Sequence, residues 1–169
     1  MNIYRISIST HFRFFLSTLL YVIAPLIVGV PIILYIKRGS FDIDLALIIG
    51  IWGLIILFTP KLLIHLNYYF FNKDMVVYYD EVNKQMRVTD KKRDVTFGMG
   101  DIKSVIEYKT YPKAENRTTW MPWDDYHYSL VELKNGEQFY FTSLILPNLY
   151  LPVNKSKVTL KKRFYPAIW

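Results

Sequence analysis

FFLSTLLYVIAPLIVGVPIILYI, Phe14 to Ile36, and LALIIGIWGLIILFTP, Leu45 to Pro60, decide how this chain is read. The first run carries no charge, and as a helix it would reach about 35 Å, enough to cross a hydrocarbon core of roughly 30 Å. It outlasts the apolar stretch of a cleaved leader, about 7–15 residues, and Lys37 and Arg38 follow it, so it reads as an anchor. Pro25 and Pro31 each remove a backbone donor and are expected to bend it. Leu62, Leu63, Ile64 and Leu66 extend the second run, and Lys61 can snorkel to the interface. Only KRGSFDID, Lys37 to Asp44, separates the two runs. So short a loop predicts an antiparallel hairpin with spans at about 14–36 and 45–66. Gly50 and Gly53 offer a flat surface for close approach near Gly29.

Outward from the hairpin the composition changes. Of 21 Lys and Arg, 16 follow Leu66, as do 12 of 14 Asp and Glu. That mild positive balance falls short of a dedicated nucleic-acid binder, and no nucleic-acid partner is expected. With no cysteine, disulfides, thiolate chemistry and Cys-based zinc sites are excluded. Arg5, Arg13, Lys61 and Lys73 flank the membrane on the side of the tails, against Lys37 and Arg38 in the loop. The balance places both termini in the cytoplasm. Residues 1–13 then read as a cytoplasmic segment, 14–66 as the hairpin and 67–169 as a β-rich soluble domain held close to a membrane. Asn67-Tyr68-Tyr69-Phe70-Phe71-Asn72 is expected to carry the second helix through the headgroups and deliver it into the first strand.

From Met75 onward, short apolar runs alternate with turns. Strands are expected at 75–79, 85–89, 95–99, 102–110, 126–134, 137–145 and 157–164. Asn135-Gly136 predicts a tight hairpin of the type that needs positive φ at both central residues. Tyr128 and Leu130, then Phe139 and Phe141, alternate with polar neighbours as in half-buried strands. Six or seven short antiparallel strands make a small barrel or sandwich.

An acidic turn, a strand, a second turn, a strand and then Gly100-Asp101-Ile102-Lys103-Ser104-Val105 resemble the bacterial pleckstrin-homology-like domain, many of whose members carry a two-helix hairpin before the domain. The resemblance in layout covers about Phe14 to Ile145. It implies an α+β membrane protein, a transmembrane hairpin followed by an antiparallel pleckstrin-like barrel or sandwich, in a bacterial inner membrane. The family closes its barrel with a C-terminal amphipathic helix. Here Pro147, Pro152 and Pro166 argue against a long one, since proline inside a helix costs about 3 kcal/mol.

By spacing, His11, His65 and His127 form no tight motif. His127 beside Asp124 and Asp125 is the single His–carboxylate neighbourhood, the basis of an alternative reading as a membrane-bound enzyme or metal-dependent catalyst. The loop Tyr111–Asp125, YPKAENRTTWMPWDD, is long, and long loops in compact domains are usually functional or disordered. Trp120, Met121 and Trp123 on it are either docking residues for a partner or membrane, or rings packed over the mouth of the barrel. Lys91-Lys92-Arg93 and Lys161-Lys162-Arg163 are candidates for headgroups or an anionic partner, though charged turns are ordinary solvated surface. There is no phosphate loop and no nucleophile elbow, and no cofactor is expected. The sequence thus points to a non-enzymatic, membrane-tethered interaction or regulatory module. Its partners are membrane lipids and a protein, a second copy included. A membrane-tethered nucleic-acid binder using the basic clusters is a further alternative.

Overall fold

In the computed structural model the chain is described over residues 1–18, 22–38, 43–147 and 153–168. The segment expected as a tail begins instead with a strand. β1, Asn2–Arg5, pairs antiparallel with β2, Val76–Asp80, with Asn2 opposite Tyr79 and Arg5 opposite Val76. All the long helices lie between these two paired strands. The β-domain therefore starts at the N-terminus, is interrupted by the helices and resumes at β2.

The first helix, α1, spans Ile8–Thr18. Ser7 caps it, its Oγ accepting from the backbone N–H of Thr10 at 3.4 Å, which satisfies a donor that has no partner within the helix. The chain then makes a π-helical turn over Pro25–Gly29 and continues as α2, Val30–Arg38. Pro31 cannot donate to the carbonyl four residues earlier, and a wider turn just before it accommodates that loss. Residues 19–21 and 39–42, within the expected first span and its loop, lie outside the described residues. Among the described residues one helix is long and apolar enough to cross a membrane: α3, Ile43–Asn72. Among the described residues a hairpin of two spans is therefore not shown; one long helix has shorter helices packed against it. Those shorter helices run antiparallel to α3. His11 meets His65, Phe15 meets Phe58 at 6.1 Å between ring centroids, and Leu26 meets Gly53. A Cβ at Gly53 would stand 2.8 Å from Leu26 Cδ2, whereas Gly29 and Gly50 face open space. The close approach is therefore glycine against leucine, not glycine against glycine.

The remaining strands sit close to their expected places: β3 Gln85–Thr89, β4 Asp94–Gly98, β5 Ile102–Lys109, β6 His127–Leu133, β7 Gln138–Thr142 and β8 Val158–Lys162. They form two four-stranded sheets, β1-β2-β3-β4 and β7-β6-β5-β8, that do not close into a barrel. β8 runs parallel to β5, with Val105 opposite Val158, so the all-antiparallel expectation fails there. Asp101 turns the chain from the first sheet into the second. Its Oδ2 accepts the Gly98 N–H at 2.8 Å and its carbonyl accepts the Lys134 N–H at 2.9 Å. The β6–β7 turn has three residues and closes with Leu133 N donating to Glu137 O at 2.8 Å. Of Asn135 and Gly136 only Gly136 takes positive φ, at 90°. The turn is therefore a three-residue loop ending on a left-handed glycine rather than the two-residue form.

Two apolar clusters hold the domain. One lies between the sheets and includes Val77, Met86, Val88, Phe97, Val105, Val131, Phe139 and Phe141. Each such side chain contributes about 1.5–3 kcal/mol through burial. The other lies on the opposite face of the second sheet, where Tyr108, Tyr126 and Tyr128 meet Phe14, Ile64 and Tyr68. Strand period two separates the clusters. Tyr128 and Leu130 point to the helices, while Phe139 and Phe141 point between the sheets. These strands, expected to be half-buried, are covered on both faces.

Candidate functional site

The candidate site is the junction where α3 leaves its apolar half and meets the domain. Lys61, Ile64, His65, Tyr68 and Asn72 are buried. Their spacing of three and four places them on one helix face. That face lies on the outer side of the second sheet. Here a helix preceding β2 does the covering.

Side chains bolt this face in place. Asn72 is wholly buried. Its Nδ2 donates to Tyr140 O at 2.8 Å and its Oδ1 accepts from Thr142 N at 3.0 Å, so the amide pairs with the edge of β7 as a strand would. Asn67 grips the C-terminal segment in the same way, donating to Ile168 O at 3.0 Å and accepting from Ile168 N at 2.9 Å. Tyr68 Oη donates to Pro166 O. Burial, then the neighbouring Tyr128 and Tyr126, raises the Tyr68 pKa well above its ordinary value, so the hydroxyl remains a donor.

On the neighbouring side α1 is held by a chain of polar contacts. His11 Nδ1 lies 2.7 Å from His65 Nε2, and His65 Nδ1 lies 2.9 Å from Tyr126 Oη. Phe14, Phe15, Tyr68 and Tyr69 enclose this chain with ring contacts. Lys61 Nζ stands 5.9 Å over the Tyr126 ring. Burial, with the Asp125 charge second, raises the Tyr126 pKa far beyond physiological pH, so it too stays a phenol. Sequence spacing separated His11 from His65 and gave no sign of this pair. The antiparallel approach of α1 and α3 brings them together.

The loop Tyr111–Asp125 is divided. It opens with a short helix, α4, Tyr111–Ala114. Trp123 is buried, with ring centroids 5.0 Å from Tyr165 and 5.7 Å from Phe164. It is a packing residue over the second cluster and offers no free ring for docking. Trp120 is 83% exposed and Met121 partly so. Asp124 builds this bend: its Oδ2 accepts the N–H of Trp120 at 3.0 Å and of Met121 at 2.9 Å.

His127 faces inward, its Nδ1 3.2 Å from Asp125 O. Burial, then the Lys113 charge, brings its pKa down to about 4. Asp124 is occupied in the loop, and among the described residues no three His, Asp or Glu side chains gather as a metal site.

The basic clusters are largely engaged. Lys91 pairs with Asp74 at 3.1 Å and Arg93 with Asp90 at 3.0 Å, while the Arg93 guanidinium lies 5.1 Å over Phe139. Lys162 meets Glu115 at 2.8 Å. Lys161 and Arg163 lie over the Tyr108 ring at 5.9 and 4.5 Å.

No curated protein and no solved structure matches the chain. A family model described as a PH domain matches residues 3–151, from β1 through β7 and including the intervening helices, with β8 beyond it. PH domains are interaction modules for proteins or lipids. On this match, and with a fold that counts β1 as its first strand, the chain belongs to the PH domain family.

Proposed function

We propose that this protein is a membrane-anchored PH module without catalytic activity, which presents a binding surface for a protein or for lipid headgroups at a fixed position beside a bilayer. One observation supports the reading above all others. The helices are inserted between the paired strands β1 and β2, so the domain holds both ends of the helical segment. Asn67, Tyr68 and Asn72 then fix the last turns of α3 to the domain. The first two thirds of α3 expose Leu47, Ile48, Ile51, Trp52, Ile55 and Ile56, a surface too apolar for water and suited to hydrocarbon.

In this reading α1, α2 and α3 enter and leave the bilayer on one side. The domain and both termini face the cytoplasm of a bacterial cell. Tethering raises the effective concentration of a weakly bound partner. Gly29 and Gly50, whose faces are open, are available for contact with a second copy. The β3–β4 turn bearing Lys91, Lys92 and Arg93 stands beside Asp74, beyond the end of α3. It is about 17 Å further along the helix than Lys61, so in this geometry it suits an anionic protein partner better than headgroups.

The test is fractionation of the full chain expressed in bacteria. Retention in membranes through alkaline carbonate washing, together with protease access to the β-domain only after the cytoplasmic face is opened, is the expected result. Release into the soluble fraction would refute the anchor.

A further inference from the structure

The end of the loop Tyr111–Asp125 lies against α3 where its apolar half begins. Tyr126 bonds His65, and Asp125 acts electrostatically on Lys61, one helical turn nearer that half. Four residues before Asp124, and tied to its carboxylate, Trp120 projects with 83% of its surface free. On the same loop, Lys113 donates to Asp125 O at 2.9 Å and lies in the field of Arg13 on α1. Arg13 is exposed. An ammonium has three N–H groups, so Lys113 retains donors beyond that bond. Two elements far apart in sequence thus supply cations to the loop that carries the free indole, where its end meets the stretch of α3 at which the apolar half begins.

We propose that this underside, formed by Trp120, Lys113 and Arg13, is a contact surface for an anionic bilayer, the headgroup layer of the membrane that α3 enters. The proposal rests on the anchoring reading above and chooses lipid over protein as the occupant of this face. Indole rings partition to the layer between headgroups and acyl chains, and cations near an anionic leaflet are attracted to it. Seating the underside in this way adds a third point of attachment to the two the fold already supplies.

The absence of cysteine allows unique spin labels. Single Trp120→Cys, Val82→Cys and Trp52→Cys variants of the full chain are labelled with a nitroxide. Each is placed in phosphatidylcholine vesicles, alone or with about one third phosphatidylglycerol. Collision with a water-soluble nickel chelate is then measured. In anionic vesicles the label at 120 should collide at least tenfold less often than that at 82, which is exposed in the β2–β3 turn, at the end of β2 remote from α3. Shielding at 120 should weaken in neutral vesicles and in an Arg13→Gln, Lys113→Gln background. A label at 120 as accessible as that at 82 overturns the proposal, as does equal shielding in both vesicle types. Shielding that persists in detergent micelles and grows with protein concentration assigns the face to a second copy and also overturns it. The label at 52 separates the two readings. If it lies in hydrocarbon while 120 is in water, the anchor stands and only the lipid-facing underside fails.

Discussion

Asn72→Ala tests whether α3 and the β-domain are one rigid unit. The substitution removes the acceptor of Thr142 N–H and the donor to Tyr140 O, both at a site without solvent exposure. A buried backbone group left unpaired costs about 1–3 kcal/mol, so two cost roughly 2–6 kcal/mol. For a chain of this size 1 kcal/mol moves Tm by about 2–4 °C, giving an expected loss of roughly 4–24 °C. The measurement is thermal unfolding of the full chain in mild detergent, followed by near-UV circular dichroism of its aromatic residues. Asn72→Asp adds a signature that a generic packing loss would not show. Burial disfavours the charged carboxyl, so its pKa in the fold is raised above the ordinary unfolded value of about 3.9. The stability lost relative to the parent is therefore smallest at low pH and grows as the pH rises through the folded pKa. At low pH the protonated carboxyl both donates to Tyr140 O and accepts from Thr142 N, as the amide does. A Tm change under about 2 °C for Asn72→Ala, with a pH-independent difference for Asn72→Asp, would refute the coupling.

His127 should make the domain acid-sensitive. Its pKa is 6.5 in the unfolded chain and about 4 in the fold. Its contribution is full above pH 6.5, and about 3 kcal/mol is lost as the pH falls to 4. His127→Gln should flatten a stability profile taken over that range. His65→Phe keeps a ring against Phe15 but orphans the Tyr126 hydroxyl and the His11 imidazole. Amide exchange across α1 should accelerate while β5 and β6 remain protected. Gly136→Ala forces a side chain into φ of 90° and should cost roughly 1–2 kcal/mol, read as a lower Tm with no change in membrane retention. Asp124→Ala frees the N–H groups of Trp120 and Met121. Protease cleavage within residues 117–124 should quicken, and an unchanged rate would show that the carboxylate does not build this bend.

Much of the fold was already fixed by local chemistry. Period-two patterning and turn residues put β3 at Gln85–Thr89 and the other strands within a few residues of their expected ends, because strand and turn preferences act over neighbours. The uninterrupted apolar run likewise yields α3 and its direct delivery into β2. The sequence could not show that Asn2–Arg5 is the first strand of the domain, since four residues have no periodicity and become a strand only by pairing with β2. Nor could it join His11 to His65 and Tyr126, or divide Trp123 from Trp120. Those outcomes depend on which helix face lies on which side of the second sheet. Burial and hydrogen bonding between segments distant in the chain are settled only when the packed structure removes water from both partners at once.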